Sequence, residues 1–173
     1  MIYLKFVNVE EQPEFCFKYS KSDLKYEKIN DRKLSFVSNF LKKNKEENFF
    51  SISHSYPYCF IAESNEPVGL DIENIKNEQK NYKEIVKRFF NKEEQKINNY
   101  YEFLTLWIIK ESYFKLTQDK KYLSASLEKI KNQNNCCFAA GKFFSNIVFC
   151  VTCFKDNSTQ KIITKKIDLQ RLD

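Results

Sequence analysis

Only two glycines interrupt the chain, Gly69 and Gly141. That scarcity excludes a Walker A loop and a GxGxxG dinucleotide fingerprint, because each needs several glycines to bring backbone against phosphate. No stretch approaches the ~18 consecutive apolar residues of a membrane-spanning helix. The opening Met1-Ile2-Tyr3-Leu4-Lys5 reaches a charge at once, with no basic segment followed by an apolar one. A secretory signal is therefore not expected, and the expected location is the cytoplasm. There is no low-complexity tract or linker, and 173 residues leave no room for a large multidomain enzyme.

Six cysteines are present, Cys16, Cys59, Cys136, Cys137, Cys150 and Cys153, but they show no paired-ligand pattern, and cytosolic thiols stay reduced. Cys150 and Cys153 have CxxC spacing inside an apolar strand-like run, where positions three apart point to opposite faces. Buried thiols are the expected reading. The 17 Phe and 10 Tyr, alongside abundant Lys, Asn and Ile, read as the mark of AT-rich coding. A formal charge of +6 favours an anionic partner, whether nucleotide, acidic protein or nucleic acid.

The pattern along the chain predicts an α+β protein. A strand is expected over 2–9, then a helix reaching Lys43 that Ser20 or Ser22 could cap. Strands are expected over 49–53, 58–62 and 68–73, with turns at 54–57 and 65–67. Tyr82, Ile85, Val86, Phe89 and Phe90 have helical spacing, and Asn91-Lys92-Glu93-Glu94 resembles a capping box. From Tyr100 to Thr117 apolar residues surround the helix on all sides, the mark of a buried helix whose charges need partners. Strands are expected near 127–131, 136–144, 147–154 and 160–168. One compact unit spanning 1–173 is expected, with an N-terminal lobe over 1–67 and a C-terminal lobe over 68–173.

Two segments put charge where a core belongs. In Val68-Gly69-Leu70-Asp71-Ile72-Glu73, strand alternation sends both carboxylates to one face and Leu70 and Ile72 to the other. On the buried helix, Glu111 and Lys115 are four apart and share a stripe with Trp107. Three acids and an ammonium suit Mg²⁺, which takes one or two carboxylates and completes its shell with water and phosphate oxygens. The blander readings are an exposed acidic edge strand and a simple Glu111–Lys115 pair. His54, the one histidine, lies between Ser53 and Ser55 and could help hold a phosphate, although a lone histidine is more often structural.

Taken together, four blocks resemble the 4'-phosphopantetheinyl transferases of the surfactin-synthetase-activating type. They are Phe50-Ser51-Ile52-Ser53-His54-Ser55, Pro67-Val68-Gly69-Leu70-Asp71-Ile72-Glu73, Lys87-Arg88-Phe89-Phe90 and the segment from Leu106 to Leu116, which includes Trp107-Ile108-Ile109-Lys110-Glu111-Ser112-Tyr113-Phe114-Lys115. The resemblance implies a pseudo-dimer of two α+β lobes with coenzyme A in the cleft between them. It implies Mg²⁺ on Asp71, Glu73 and Glu111, phosphate contacts from Ser53, His54 and Lys115, and a looser match of Arg32 to a coenzyme-binding arginine on the first helix. It implies transfer of 4'-phosphopantetheine from coenzyme A to a serine of an apo acyl or peptidyl carrier protein, releasing 3',5'-ADP, in fatty-acid, polyketide or nonribosomal peptide synthesis. Glu111, directly or through a bound water, would take the serine proton, and Lys115 would stabilise charge on the pyrophosphate. A monomer would suffice, with no nucleic-acid or membrane partner.

The chain departs from that pattern in three places. Its N-terminal part is short, Lys42-Lys43-Asn44-Lys45 stands where a Gly-Lys-Pro element is usual, and Gln118-Asp119 replaces the glycine that commonly ends the Lys115 helix. Two other readings remain at this stage: a non-catalytic coenzyme A-binding relative, and a basic RNA-binding module with stacking aromatics.

Overall fold

The computed structural model describes residues 1–12, 26–77, 81–132, 136–154 and 161–167. Cys16 and the capping candidates Ser20 and Ser22 lie outside them. A first sheet has strand order β2-β3-β1-β7, built from β1 (Ile2–Asn8), β2 (Phe49–Ser55), β3 (Tyr58–Ser64) and β7 (Ile162–Lys166). A second has order β4-β6-β5, from β4 (Val68–Asn74), β5 (Cys136–Phe143) and β6 (Ile147–Phe154). Neighbouring strands are antiparallel except β1 and β7, which run parallel with Ile2 opposite Ile162. The first sheet thus draws on both ends of the chain. The expected α+β class matches this mixture of two sheets and four α-helices among the described residues.

The layers follow from the alternation of side chains. Helix α1 (Tyr26–Lys43) sets Leu34, Val37 and Leu41 against Val7, Cys59 and Ile61 on one face of the first sheet. The other face, with Ile2, Leu4, Phe60 and Ala62, packs on Val68, Leu70, Ile72, Val151 and Cys153 of the second sheet. On the far side of the second sheet lies α3 (Tyr100–Thr117), whose Phe103, Leu104, Ile108 and Ile109 meet Val148 and Cys150 together with Val86 of α2 (Tyr82–Phe89). Each fully buried Leu, Ile or Phe here contributes about 1.5–3 kcal/mol of transfer free energy.

The helix termini satisfy their own backbone. Asn99 accepts from the N–H of Glu102 at 2.9 Å while Glu102 accepts from the N–H of Asn98 at 2.8 Å, a reciprocal cap that starts α3. The capping box read at Asn91–Glu94 is also present, but it opens a 3-10 turn at Glu94–Lys96. At the other end of α3, Gln118 itself takes the left-handed conformation (φ 57°), the geometry glycine usually supplies, and its amide donates to the Lys115 carbonyl at 2.6 Å.

Two local expectations need correction. Residues 127–131 are not a strand but the start of α4 (Leu127–Asn132). Ser126 caps it by accepting from the N–H of Lys129, Glu94 accepts from the N–H of Leu127, and Leu127 with Ile130 supplies the buried i, i+3 pair. Strand β2 also runs on through Ser55, so His54 is a strand residue and the turn narrows to Tyr56-Pro57. Pairing with β3, His54 opposite Cys59, extends the strand beyond what its own composition signalled. Cys150 and Cys153 face opposite sides of the second sheet, one towards α3 and the other towards the first sheet. Burial pushes the Cys150 thiol up to about 12 and the Cys59 thiol up to about 11, as for small core residues.

Candidate active site

The register of β4 decides where its acids go. Asp71 lies opposite Cys150 and Glu73 opposite Val148, and both partners face α3. The acids therefore lie on the helix side of the sheet while Leu70 and Ile72 enter the core between sheets. Gly69, two residues before Asp71 on the same face, lets α3 come down onto the strand. A Cβ there would stand 2.0 Å from the Ser112 carbonyl oxygen and 2.8 Å from the Leu116 nitrogen. Thr152 fastens the contact by donating to the Ser112 carbonyl at 2.9 Å.

This close approach places Lys115 over β4. Its Nζ donates to Asp71 Oδ1 at 2.7 Å and to Ser53 Oγ at 3.1 Å, and Ser53 donates to the same Oδ1 at 2.8 Å. Three side chains from β2, β4 and α3 close a triangle. The partner of Lys115 is thus Asp71 and not Glu111, the i,i+4 neighbour on its own helix. Asp71 Oδ2 is buried and has no hydrogen-bond partner.

The three acids are coupled. Burial, opposed by Lys115, holds the Asp71 carboxyl above its usual range. Burial and then the Asp71 charge push Glu73 up to about 7. Glu111 is raised by the same two causes in the same order, and Glu73 also feels Glu111. Among the described residues, no three His, Cys, Asp or Glu side chains stand grouped as around a bound metal ion. The chemistry of the set nevertheless fits a hard cation. An orphaned carboxylate oxygen and three mutually repelling acids, all penalised for burial, would each be relieved by a positive charge.

Beside the acids opens a cleft of about 630 Å³, lined among others by Ser35, Asn39 and Lys42 of α1, by His54 of β2 and by Lys115. That volume is in the range of small-molecule sites. Loss of solvent at the cleft wall, and then the Lys115 charge, keep His54 below its ordinary value, while Asp31 and Asp71 pull it upward. His54 and Lys115 therefore meet at one cavity. Ser53 is not among the lining residues and its hydroxyl is engaged by Asp71, Lys115 and the N–H of Ile72. Arg32 is exposed on α1 and does not line the cleft, whereas its neighbour Asp31 does.

Sequence reasoning missed the polar stripe of α1. Asp31, Ser35, Ser38, Asn39 and Lys42 recur at i, i+4, i+7, i+8 and i+11, opposite the apolar Leu34, Val37 and Leu41. The periodicity was available; what it lacked was a strand to say that this face meets a cavity. It also missed Lys110, fully buried, whose ammonium binds Glu94 Oε2 at 2.9 Å and the Ala125 carbonyl.

No individual curated protein matches the chain. Among the described residues no helix is long and apolar enough to cross a membrane. A sequence model of the 4'-phosphopantetheinyl transferase superfamily matches residues 67–150, just under half of the chain and the part that carries Asp71, Glu73, Glu111 and Lys115, which supports that general family and a transferase of its kind without selecting a subtype.

Proposed function

We propose that the protein transfers 4'-phosphopantetheine from coenzyme A to a serine of an apo acyl or peptidyl carrier protein and releases 3',5'-ADP, as a monomeric cytoplasmic enzyme of the surfactin-synthetase-activating type. The observation that carries this reading is the Lys115–Asp71–Ser53 triangle beside a cleft lined by Lys42, His54 and Lys115, with two further coupled acids at hand. On this reading the two sheets with their helices correspond to the two lobes of the pseudo-dimer, the chain crossing to the second near residue 67 and returning to the first with β7, and the cleft takes the coenzyme.

Lys42, Lys115 and His54 supply donors for the phosphates of coenzyme A, including its 3'-phosphate. Between Lys42 and Arg32 on α1, Lys42 takes the larger share, because it lines the cleft, and Arg32 the smaller. Ser53 contributes by holding Lys115. Asp71, Glu73 and Glu111 would hold Mg²⁺, which supplies charge neutralisation at the pyrophosphate when bound. Lys115 stabilises negative charge that develops as the phosphoanhydride bond breaks. Glu111, raised above the ordinary carboxylate value, is the group to accept the proton of the carrier serine as its oxygen attacks the β-phosphate. The net charge of +6 would favour docking of an acidic carrier.

The direct test is incubation with apo acyl carrier protein, coenzyme A and Mg²⁺, followed by intact mass of the carrier, with EDTA as control. A gain of one phosphopantetheine, lost with EDTA and in Asp71→Asn or Glu111→Gln, is expected. Coenzyme A binding without transfer to any of several apo carriers would instead identify a non-catalytic relative.

A further inference from the structure

Three serines alternate along β2 and meet β4 in a repeating pattern. The hydroxyls of Ser51, Ser53 and Ser55 accept from the backbone N–H of Leu70 at 3.0 Å, Ile72 at 3.3 Å and Asn74 at 2.9 Å. Side chains thus do between the two sheets what a backbone ladder does within one. Each serine is paired with the residue before its N–H donor. Ser53 donates to Asp71 Oδ1 at 2.8 Å and Ser55 donates to Glu73 Oε2 at 3.1 Å. The position matching Ser51 is Gly69, which has no side chain to receive a proton.

A hydroxyl has one proton and two lone pairs. With an N–H, and at Ser53 also an ammonium, directed at the lone pairs, the proton is left to the neighbouring carboxylate and the rotor is fixed. All three serines are buried. The ladder therefore sets the register of β4 against β2 and orients the two carboxylates in the same act.

We propose that Ser53 and Ser55 are positioning residues for Asp71 and Glu73, and that the serine ladder of β2 pre-arranges this acid pair for a divalent cation. The inference rests on the metal assignment made above, and adds to it the groups that keep the ligands in place. Outer partners of metal ligands commonly contribute about 10–100-fold to metal affinity. Ser55 is the sharper probe, since Ser53 also accepts from Lys115 whereas Ser55 engages only Glu73 and the N–H of Asn74. Ser51 makes the same rung to β4 with no carboxylate, but it also lines the coenzyme cleft, so the test rests on Ser55.

The experiment is a Mn²⁺ titration of the full chain in saturating coenzyme A, with free Mn²⁺ read by electron paramagnetic resonance. Wild type should bind, and Glu73→Gln should weaken binding. Ser55→Ala should weaken it by about 10-fold, and Ser55→Thr should restore it. Should Ser55→Ala not fold, Ser55→Cys replaces the hydroxyl by a thiol of similar size and poor donor strength, and the same loss is expected. Wild-type affinity in folded Ser55→Ala would overturn the positioning role while leaving the metal assignment standing. No Mn²⁺ binding by wild type would overturn both.

Discussion

On one side of α3, Lys110 is fully buried (0% of its side chain exposed) and its ammonium is shared by Glu94, the Ala125 carbonyl and the face of Phe90. On the other, Lys115 keeps 26% of its side chain exposed and shares Asp71 with Ser53. Both are lysines on one helix, five residues apart, each paired with a carboxylate. The first pair is closed: Glu94 also caps the backbone at Leu127 and Asn91, so the pair ties α3, the 3-10 turn and α4 together. The second borders a cleft and leaves one carboxylate oxygen of Asp71 without a partner. Lys5 follows the closed pattern, with Glu63 at 3.1 Å accepting in turn from the N–H of Glu46. An ion pair with every lone pair assigned holds structure together, whereas one with an unassigned oxygen at a cavity wall retains capacity for a ligand.

The contrast can be broken most completely at Gly69, which underlies the placement of Lys115. Gly69→Ala drives a Cβ into the backbone of α3, and we expect a loss of roughly 4 kcal/mol or more, read as failure to give a cooperative unfolding transition.

Exchanging the two lysines separates the roles. Lys110→Met should cost about 3 kcal/mol in urea unfolding, because it strands a largely buried Glu94, while turnover per folded molecule stays near wild type. Lys115→Ala should show the reverse, a kcat loss on the order of 10²–10³-fold with a smaller stability change than Lys110→Met, since Asp71 can take up a proton. Equal stability losses with equal activities would erase the distinction drawn here.

A third prediction concerns pH in metal-free protein. The native Glu73 carboxyl titrates at about 7 against an ordinary 4.5, so between those values the native state holds more protons than the unfolded chain. Stability should therefore fall as pH rises from about 4.5 to about 7, with Asp71 and Glu111 acting in the same direction. His54, held below its ordinary value, acts in the opposite sense, so the difference between wild type and Glu73→Gln isolates the Glu73 contribution. Urea unfolding in EDTA at pH 5 and pH 7.5 should show a shallower decline in the variant.

The smallest effect is expected on α1. Lys42→Ala should raise the KM for coenzyme A several-fold, and Arg32→Ala by about twofold at most, in keeping with an exposed cation's modest contribution. A larger effect at Arg32 would place the coenzyme on a different face of the helix.

Much of the fold was legible where period and capping agree. The buried helix over Tyr100–Thr117 and the strand carrying Asp71 and Glu73 stand where their patterns put them. Residues 127–131 misled because Leu127 and Ile130 are apolar in a short run; the Ser126 cap was there to be read, whereas the second cap comes from Glu94, 33 residues away. The Ser-x-Ser-x-Ser run likewise reads as a polar strand, and its role depends on β4 lying alongside. Helical period singled out Lys115, but the carboxylate partners of Lys110 and Lys115 could not be read, because they come from other elements.

The sequence by itself determined the carriers of chemistry and their local geometry: two acids sharing a strand face, Glu111 and Lys115 sharing a helix face, and a glycine two residues before the first acid. Alternation and helical period are local properties, fixed by backbone geometry within a few residues. Only the tertiary structure decided that Lys115 pairs with Asp71, that the polar stripe of α1 borders a cavity, and that β7 completes the first sheet beside β1. These depend on contacts between residues far apart in the chain, made when burial of the shared core sets the register of the elements against one another.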